Sequence, residues 1–343
     1  MKKINLKIRE EALFAYIVVL CFFCSIIFSS YIFLILVFAL SLKELYKTRF
    51  IVIFLFVFSI YFLVLGFDTF KYFLLMCLSI ILVSEKFKNN PKILLQAYSN
   101  VCLICLIYLT TLDQKYGDIS SVFQFKDRFW PVIKNGEELN PNAVGIYSSI
   151  CALGYYVNRN RFIMLIPIFF LLATQSRSAI MFFLMSVAIF NGIKILNLIS
   201  YFLLLMIFLY ALSVTGVFKR FVEDGENGRL ERIFHYSQYI KENYISGMGY
   251  SQYIDVVKNV GSLDNLFLSV NLVYGIFGVF FLILICYSFY NNKMDENYKI
   301  RLGLFLSFFA LGFLEGSFAF NHLLWIIFAL SFNSFSSFQG KFR

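Results

Sequence analysis

The sequence predicts an all-α fold: a polytopic membrane helix bundle of about twelve transmembrane helices. Three observations predict it. Hydrophobic residues make up 60% of the 343 residues and charged residues only 15%, against roughly 25% charged in soluble domains. The mean hydropathy is +0.76. The apolar runs are long and lack the polar alternation of a membrane barrel strand. Hydrocarbon offers no partner to a free backbone N–H or C=O, so such runs cross as helices. Residues 1–343 read as a single integral membrane domain. Two long polar segments interrupt it, 113–139 and 216–262, and both are expected as outer loops.

Each element follows from charge and hydropathy. Lys2, Lys3, Lys7 and Arg9 precede the first apolar run. No small-x-small cleavage site follows, so an uncleaved first span is expected. The run Ala12–Leu42 would make one helix of about 46 Å, against about 30 Å of hydrocarbon. Two spans turning near Ser29-Ser30 fit better. Span three is expected over Phe50–Gly66, with a turn at Phe67-Asp68-Thr69, then span four over Phe70–Ser84 and span five over Ile93–Leu112. Span six opens at Asn140-Pro141-Asn142, with Asn140 as cap and Pro141 at the first helical position. Spans seven and eight, Phe162–Ala173 and Ala179–Asn191, flank the turn Ser176-Arg177-Ser178. Span nine is Ile195–Thr215 and span ten Leu263–Tyr290. Spans eleven and twelve, Leu302–Leu314 and Phe318–Phe335, join at Glu315-Gly316-Ser317.

The net charge of +10 does not point to nucleic acid. Lys and Arg cluster in short turns that all fall on one side of this count, from Lys43, Lys47 and Arg49 to Lys293, Lys299 and Arg301. The positive-inside rule makes that side cytoplasmic. Both termini are then cytoplasmic. Arg177 and both long polar segments share the outer face, away from ATP and nucleotide sugars. All seven cysteines fall in apolar runs and read as small buried hydrophobes. No metal, cofactor or phosphate-cradling glycine loop is expected.

The candidate site residues are few. Arg177 is the only charge between Arg161 and Lys194. A cation in hydrocarbon costs about 2.5–3.5 kcal/mol on insertion scales, so Arg177 either binds an anion in a polar cavity or ends a helix and snorkels. In segment 113–139, Phe123, Phe125, Phe129 and Trp130 interleave with charges, a pattern that suits sugar rings and equally suits a membrane interface. In segment 216–262, the residues around Arg229-Leu230-Glu231-Arg232 form an amphipathic helix. Leu230, Ile233, Phe234 and Ile240 share its apolar face, while Arg229, Arg232 and Tyr236 point elsewhere. Arg229 and Arg232 suit phosphate as planar donors, or are a solvated face. Gly247-Met248-Gly249 breaks this helix. Asp264-Asn265 opens span ten, either as a general base beside a polar partner or as a helix start. Glu223, Asp224 and Glu226 are rival acids. His235 and His322 are the two histidines.

Taken together, these pieces resemble the bacterial O-antigen polymerase and O-antigen ligase superfamily. The resemblance runs from Asn140 to Gly278: Asn140-Pro141-Asn142-x-x-Gly145, Ser176-Arg177-Ser178, Gly228-Arg229, Gly247-x-Gly249, Asp264-Asn265 and Gly275-x-x-Gly278. It implies a metal-free glycosyltransferase of the lipid-dependent, all-helical GT-C-like class in the bacterial inner membrane, with a periplasmic active face. The implied donor is a glycan on undecaprenyl diphosphate and the acceptor a sugar hydroxyl. Other implied partners are membrane lipid, a chain-length regulator and a flippase. Arg177, Arg229 and Arg232 would hold the diphosphate, with Asn142 and Asn265 beside the substrate. Ligases carry a His where this chain has Asp264, which favours a polymerase of surface-polysaccharide repeat units. The paired Arg-x(10)-Gly motif of some polymerases is missing, since Leu139 and Ile240 stand at the expected glycine positions. The alternatives are the ligase itself and, from another class, a lipid-linked oligosaccharide flippase. The nearly charge-free spans and the lack of an internal repeat argue against the flippase.

Overall fold

The computed structural model describes residues 2–28, 32–33, 35–37, 39, 60–87, 90–133, 136, 138–192, 229–290, 297–312 and 322–330. Among these, the regular structure is helical and no strand is present. Three stretches are long and apolar enough to cross a membrane: Glu10–Ile27, Pro91–Leu109 and Leu266–Ile283. Predicted span nine, much of spans two and three, the joint at 315–317, and Glu223, Asp224 and Glu226 lie outside the described residues. The chain divides into two compact units. The first comprises Met1–Val37 and Asn90–Gly225, the second Phe38–Asn89 and Glu226–Arg343.

The first unit contains α1 (Lys2–Ile27), α3 (Pro91–Leu109), the short α4 (Ile119–Phe123), α5 (Pro141–Val157), α6 (Arg161–Ala173) and α7 (Arg177–Phe190). In it α1 packs on α3, and α5 packs on α3, α6 and α7. Lipid is as apolar as leucine, so helices in a bilayer associate through close packing and polar contacts. The α3–α5 crossing uses both. Ser99 Oγ donates to the Cys151 carbonyl at 2.9 Å. Cys102 Sγ donates to the Tyr147 carbonyl at 3.4 Å, and Cys151 Sγ to the Ser99 carbonyl at 3.2 Å. These two cysteines therefore do more than fill space as small hydrophobes, because each clasps the other helix's backbone. Beside them Asn100 bridges the hydroxyls of Tyr16 and Tyr155.

The crossing of α5 and α7 depends on Gly145. A Cβ there would lie 2.7 Å from Thr174 Oγ1 and 2.9 Å from Ser176 Cβ. Ser149 Oγ also donates to the Ala179 carbonyl at 2.8 Å. Gly145→Ala is expected to cost about 1–3 kcal/mol, the usual range for overpacking. A thermal midpoint equal to wild type in detergent would show slack at this crossing and remove the expectation.

The second unit contains α2 (Phe67–Phe87), α8 (Arg229–Asn243), α9 (Gly249–Val260), α10 (Leu266–Tyr290), α11 (Tyr298–Gly312) and α12 (His322–Ala329). Here α2 packs on α12 and α9, while α10 receives α8, α9 and α11. Three expectations are corrected. Phe67-Asp68-Thr69 is not a turn but the start of α2. Gly66, with φ +121°, makes the turn, and Asp68 in the first helical turn pairs with Lys71, where the helix dipole favours a carboxylate. Arg301 is not in a loop. It lies on α11 and is 1% exposed, because hydropathy marks where apolar residues begin, not where helical hydrogen bonding begins. Finally, α10 is not one continuous helix, since Gly275 has non-helical angles, φ 62° and ψ −149°.

Candidate functional site

The Ser176-Arg177-Ser178 segment is built by the local chemistry of two helix ends. Ser176 is the N-cap of α7, its hydroxyl accepting from the Ala179 amide. Arg177 is thus the first residue of α7 rather than the middle of a turn, because a serine cap sets the helix start two residues earlier than hydropathy does. The turn itself is Thr174-Gln175. Thr174, Gln175, Ser176 and Ser178 are all buried, and Arg177 is half-buried. At 13 and 14 residues, α6 and α7 are each about 20 Å long, short of the roughly 30 Å hydrocarbon core. A buried turn needs partners for its backbone polar groups.

Segment 113–139 supplies the cover. Gln175 holds φ 50°, and its side-chain amide donates to the Phe125 carbonyl at 3.2 Å. The Phe129 amide donates to the Ala173 carbonyl at 2.8 Å. The central tie is Arg128. Its Nε donates to the Thr174 carbonyl and its Nη2 to Asn142 Oδ1, both at 2.9 Å. Asn142 lies in the first turn of α5, which Asn140 caps by accepting from the Asn142 amide, with Pro141 at the start as the sequence predicts. The N-termini of α5 and α7, Arg128 and Arg177 therefore gather at one end of the first unit. Helix N-termini carry partial positive charge and free N–H donors, which together with arginines suit an oxyanion.

The aromatic residues of this segment divide. Phe123 and Phe125 pack on Phe169, with ring centroids 5.5 and 5.3 Å away, and Phe129 packs on Phe170. Trp130 instead meets cations. Lys115 Nζ is 4.5 Å and the Arg128 guanidinium carbon 5.8 Å from its ring centroid.

In the second unit Arg232 and Asp264 meet. Arg232 Nη2 lies 3.2 Å from Asp264 Oδ2, with 24% and 18% of the two side chains exposed. Ser262 Oγ donates to Asp264 Oδ1 at 3.1 Å. Each carboxylate oxygen of Asp264 thus has a polar partner. Asn265 caps α10, its Oδ1 accepting from the Leu268 amide at 3.0 Å. The backbone of Arg229 opens α8; its side chain lies outside the described residues, as does that of His322.

The face of α8 that packs on the protein is the one that carries Arg232 and Tyr236. Tyr236 is fully buried, while Ile233 is 37% and Phe234 74% exposed. Arg232 and Tyr236, one helical turn apart, share a face. Arg232 meets Asp264 there, and the Tyr236 hydroxyl donates to the Gly261 carbonyl at 2.7 Å. Burial pushes the Tyr236 phenol well above its usual range, with Tyr253 nearby adding to the shift. Burial also raises Tyr253, whose hydroxyl pairs with Ser269 Oγ at 3.0 Å. The two exposed apolar residues keep the interfacial character that the sequence assigns to this helix.

Gly247 and Gly275 explain themselves as a pair. A Cβ on Gly275 would lie 2.2 Å from the Ile245 carbonyl oxygen, and one on Gly247 would lie 2.4 Å from that of Val273. The Met248 amide donates to the Leu272 carbonyl at 2.8 Å and the Ile276 amide to the Ile245 carbonyl at 3.2 Å. The break in α10 thus has its freed backbone groups served by the 245–248 loop, as buried backbone polar groups require.

Sequence reasoning missed Arg128 and Tyr236 as site-building residues. No spacing rule marks them, because their partners lie far away in the chain. Among the described residues no group of three His, Cys, Asp or Glu converges as a metal site. Compared with known proteins, the chain matches no family model, no curated protein and no solved structure.

Proposed function

We propose that the protein is a membrane glycosyltransferase that polymerises surface-polysaccharide repeat units carried on undecaprenyl diphosphate, working at the outer face of a bacterial inner membrane. The observation that carries this reading is the gathering of Arg128, Arg177 and the N-termini of α5 and α7 at a buried polar turn. Such a site suits a lipid diphosphate, and holding that group stabilises the charge that develops on it as it leaves. In the transfer, an acceptor sugar hydroxyl attacks the anomeric carbon. The bond from that carbon to the diphosphate oxygen breaks, undecaprenyl diphosphate departs, and the hydroxyl proton passes to a base or to water. Asp264 is the described carboxylate proposed for that proton, with Glu223 and Asp224 as rivals. Arg229 and Arg232 are proposed as further diphosphate contacts, with Asn142 and Asn265 beside the substrate.

The test is Arg177→Ala in cells that display a long-chain polysaccharide ladder. The ladder is expected to collapse to one repeat at normal protein level; an unchanged ladder removes the assignment. In a deletion strain the polymerase reading expects lipid A-core bearing one repeat, whereas bare core would identify a ligase.

A further inference from the structure

We propose that α6 and α7 present a lipid-contact surface shaped for a locally thinned bilayer, which brings the outer headgroup plane down to the turn at residues 174–178. Only the consequence for substrate rests on the diphosphate reading of that turn. The first unit has one level end and one stepped end. Ser99 on α3 meets the backbone of Cys151 on α5, and Cys102 meets that of Tyr147. Followed along α3, this register sets Pro91 level with the end of α5 and Leu109 level with its start. The Asn160 amide donates to the Tyr155 carbonyl at 2.9 Å, so α6 begins where α5 ends. The Tyr156 hydroxyl donates to Asn191 Oδ1 at 2.7 Å, which brings the end of α7 to the same level. At the other end the helices part. A Cβ on Gly145 would meet Thr174 and Ser176. Gly145 stands one helical turn inside α5, so the 174–178 turn stops about 6 Å short of the far ends of α3 and α5.

The lengths agree with this step. With 19 residues, α3 is about 28 Å long and matches the roughly 30 Å hydrocarbon core. With 13 and 14 residues, α6 and α7 reach only about 20 Å, and tilt would shorten that reach further. Their outer surface is apolar. Phe162, Leu165 and Ile166 share one face of α6 and are 87%, 57% and 44% exposed, and Met181 of α7 is 39% exposed. Arg159 and Arg161 bound this surface at one end and the polar turn bounds it at the other. Segment 113–139 does not restore the missing height, because Ser120, Gln124 and Lys126 around Phe123 are exposed. A bilayer meets an apolar surface shorter than its core by thinning. A diphosphate carried by a lipid then reaches Arg177 and the N-terminus of α7 while its chain stays in the leaflet.

The experiment uses the full chain in phosphatidylglycerol nanodiscs with myristoleoyl, oleoyl or erucoyl chains. In oleoyl discs, electron cryomicroscopy with a bound antibody fragment is expected to show a lipid belt about 10 Å thinner beside α6 than beside α3, where Ile104 and Ile107 are exposed. A belt of even thickness, or a second copy of the chain seated on the α6 face, overturns the proposal. A short polyprenyl diphosphate is the binding probe, with Arg177→Ala as its reference. Arg177-dependent binding is expected to be roughly tenfold weaker in erucoyl than in myristoleoyl discs, a small cost per ångström acting over several ångström of mismatch. Equal Arg177-dependent binding in the two lipids also overturns the proposal. If no lipid gives binding that Arg177→Ala weakens, the diphosphate reading fails and the belt alone decides.

Discussion

Gly275→Ala is expected to destabilise the second unit by about 3 kcal/mol or more, the sum of backbone strain and overpacking. Two independent effects act at that residue. Its angles, φ 62° and ψ −149°, lie where an L side chain rarely goes. Its Cβ would also stand 2.2 Å from the Ile245 carbonyl oxygen and 2.6 Å from the Gly247 nitrogen. Neither neighbour is a flexible side-chain tip. Moving them breaks the bonds from Ile276 to Ile245 and from Met248 to Leu272, which leaves polar backbone unserved in an apolar setting. The same shift would pull on α9, where the Tyr250 amide donates to Thr69 Oγ1 at 2.8 Å, and on Tyr61, whose hydroxyl donates to the Ser246 carbonyl at 3.1 Å. Gly192 is the control. It also has positive φ, 73°, but nothing lies within 4 Å of its Cβ position, so Gly192→Ala should cost only about 1 kcal/mol. Thermal denaturation of both variants in one detergent checks the contrast. Equal midpoints would show that the break in α10 relaxes without cost.

Separating Arg232 from Asp264 is expected to have the second large effect. The pair is partly buried, so removing either partner leaves a poorly solvated charge. Arg232→Ala and Asp264→Asn should each cost about 2–3 kcal/mol. The double variant should cost less than the sum, with a coupling of about 1–2 kcal/mol. The charge exchange, Arg232→Asp with Asp264→Arg, divides structure from chemistry. It should recover much of the stability. If it also restores a polysaccharide ladder, Asp264 is not the base, and the acids at Glu223 and Asp224 come forward. If stability returns and the ladder does not, a carboxylate at that position is required. Strict additivity of the two single losses would mean that the 3.2 Å pair carries no energy.

Much of the fold was legible because it rests on local chemistry. Asn140-Pro141 and Ser176 start helices through bonds to amides only two or three residues on. Gly66 and Gly247 punctuate because few other residues accept their angles. The candidate site was legible only in part. Arg177 stood out as a lone charge in an apolar sequence. Arg128 did not, since it was one cation among several acids in a polar segment.

What the sequence alone determined is therefore the class: an all-helical chain with stretches apolar enough to cross a membrane, and the ends of several helices. These follow from composition and from contacts within one helical turn. Tertiary structure decided the rest. It chose Arg128, 46 residues from Thr174, as the tie across the polar turn. It buried Tyr236 and left Phe234 exposed, because a hydroxyl and a guanidinium needed partners at Gly261 and Asp264. It broke α10 at Gly275, because a loop lay close enough to serve the freed backbone groups. Each of these choices depends on which distant groups can satisfy one another where water is scarce, and no pattern confined to neighbouring residues carries that information.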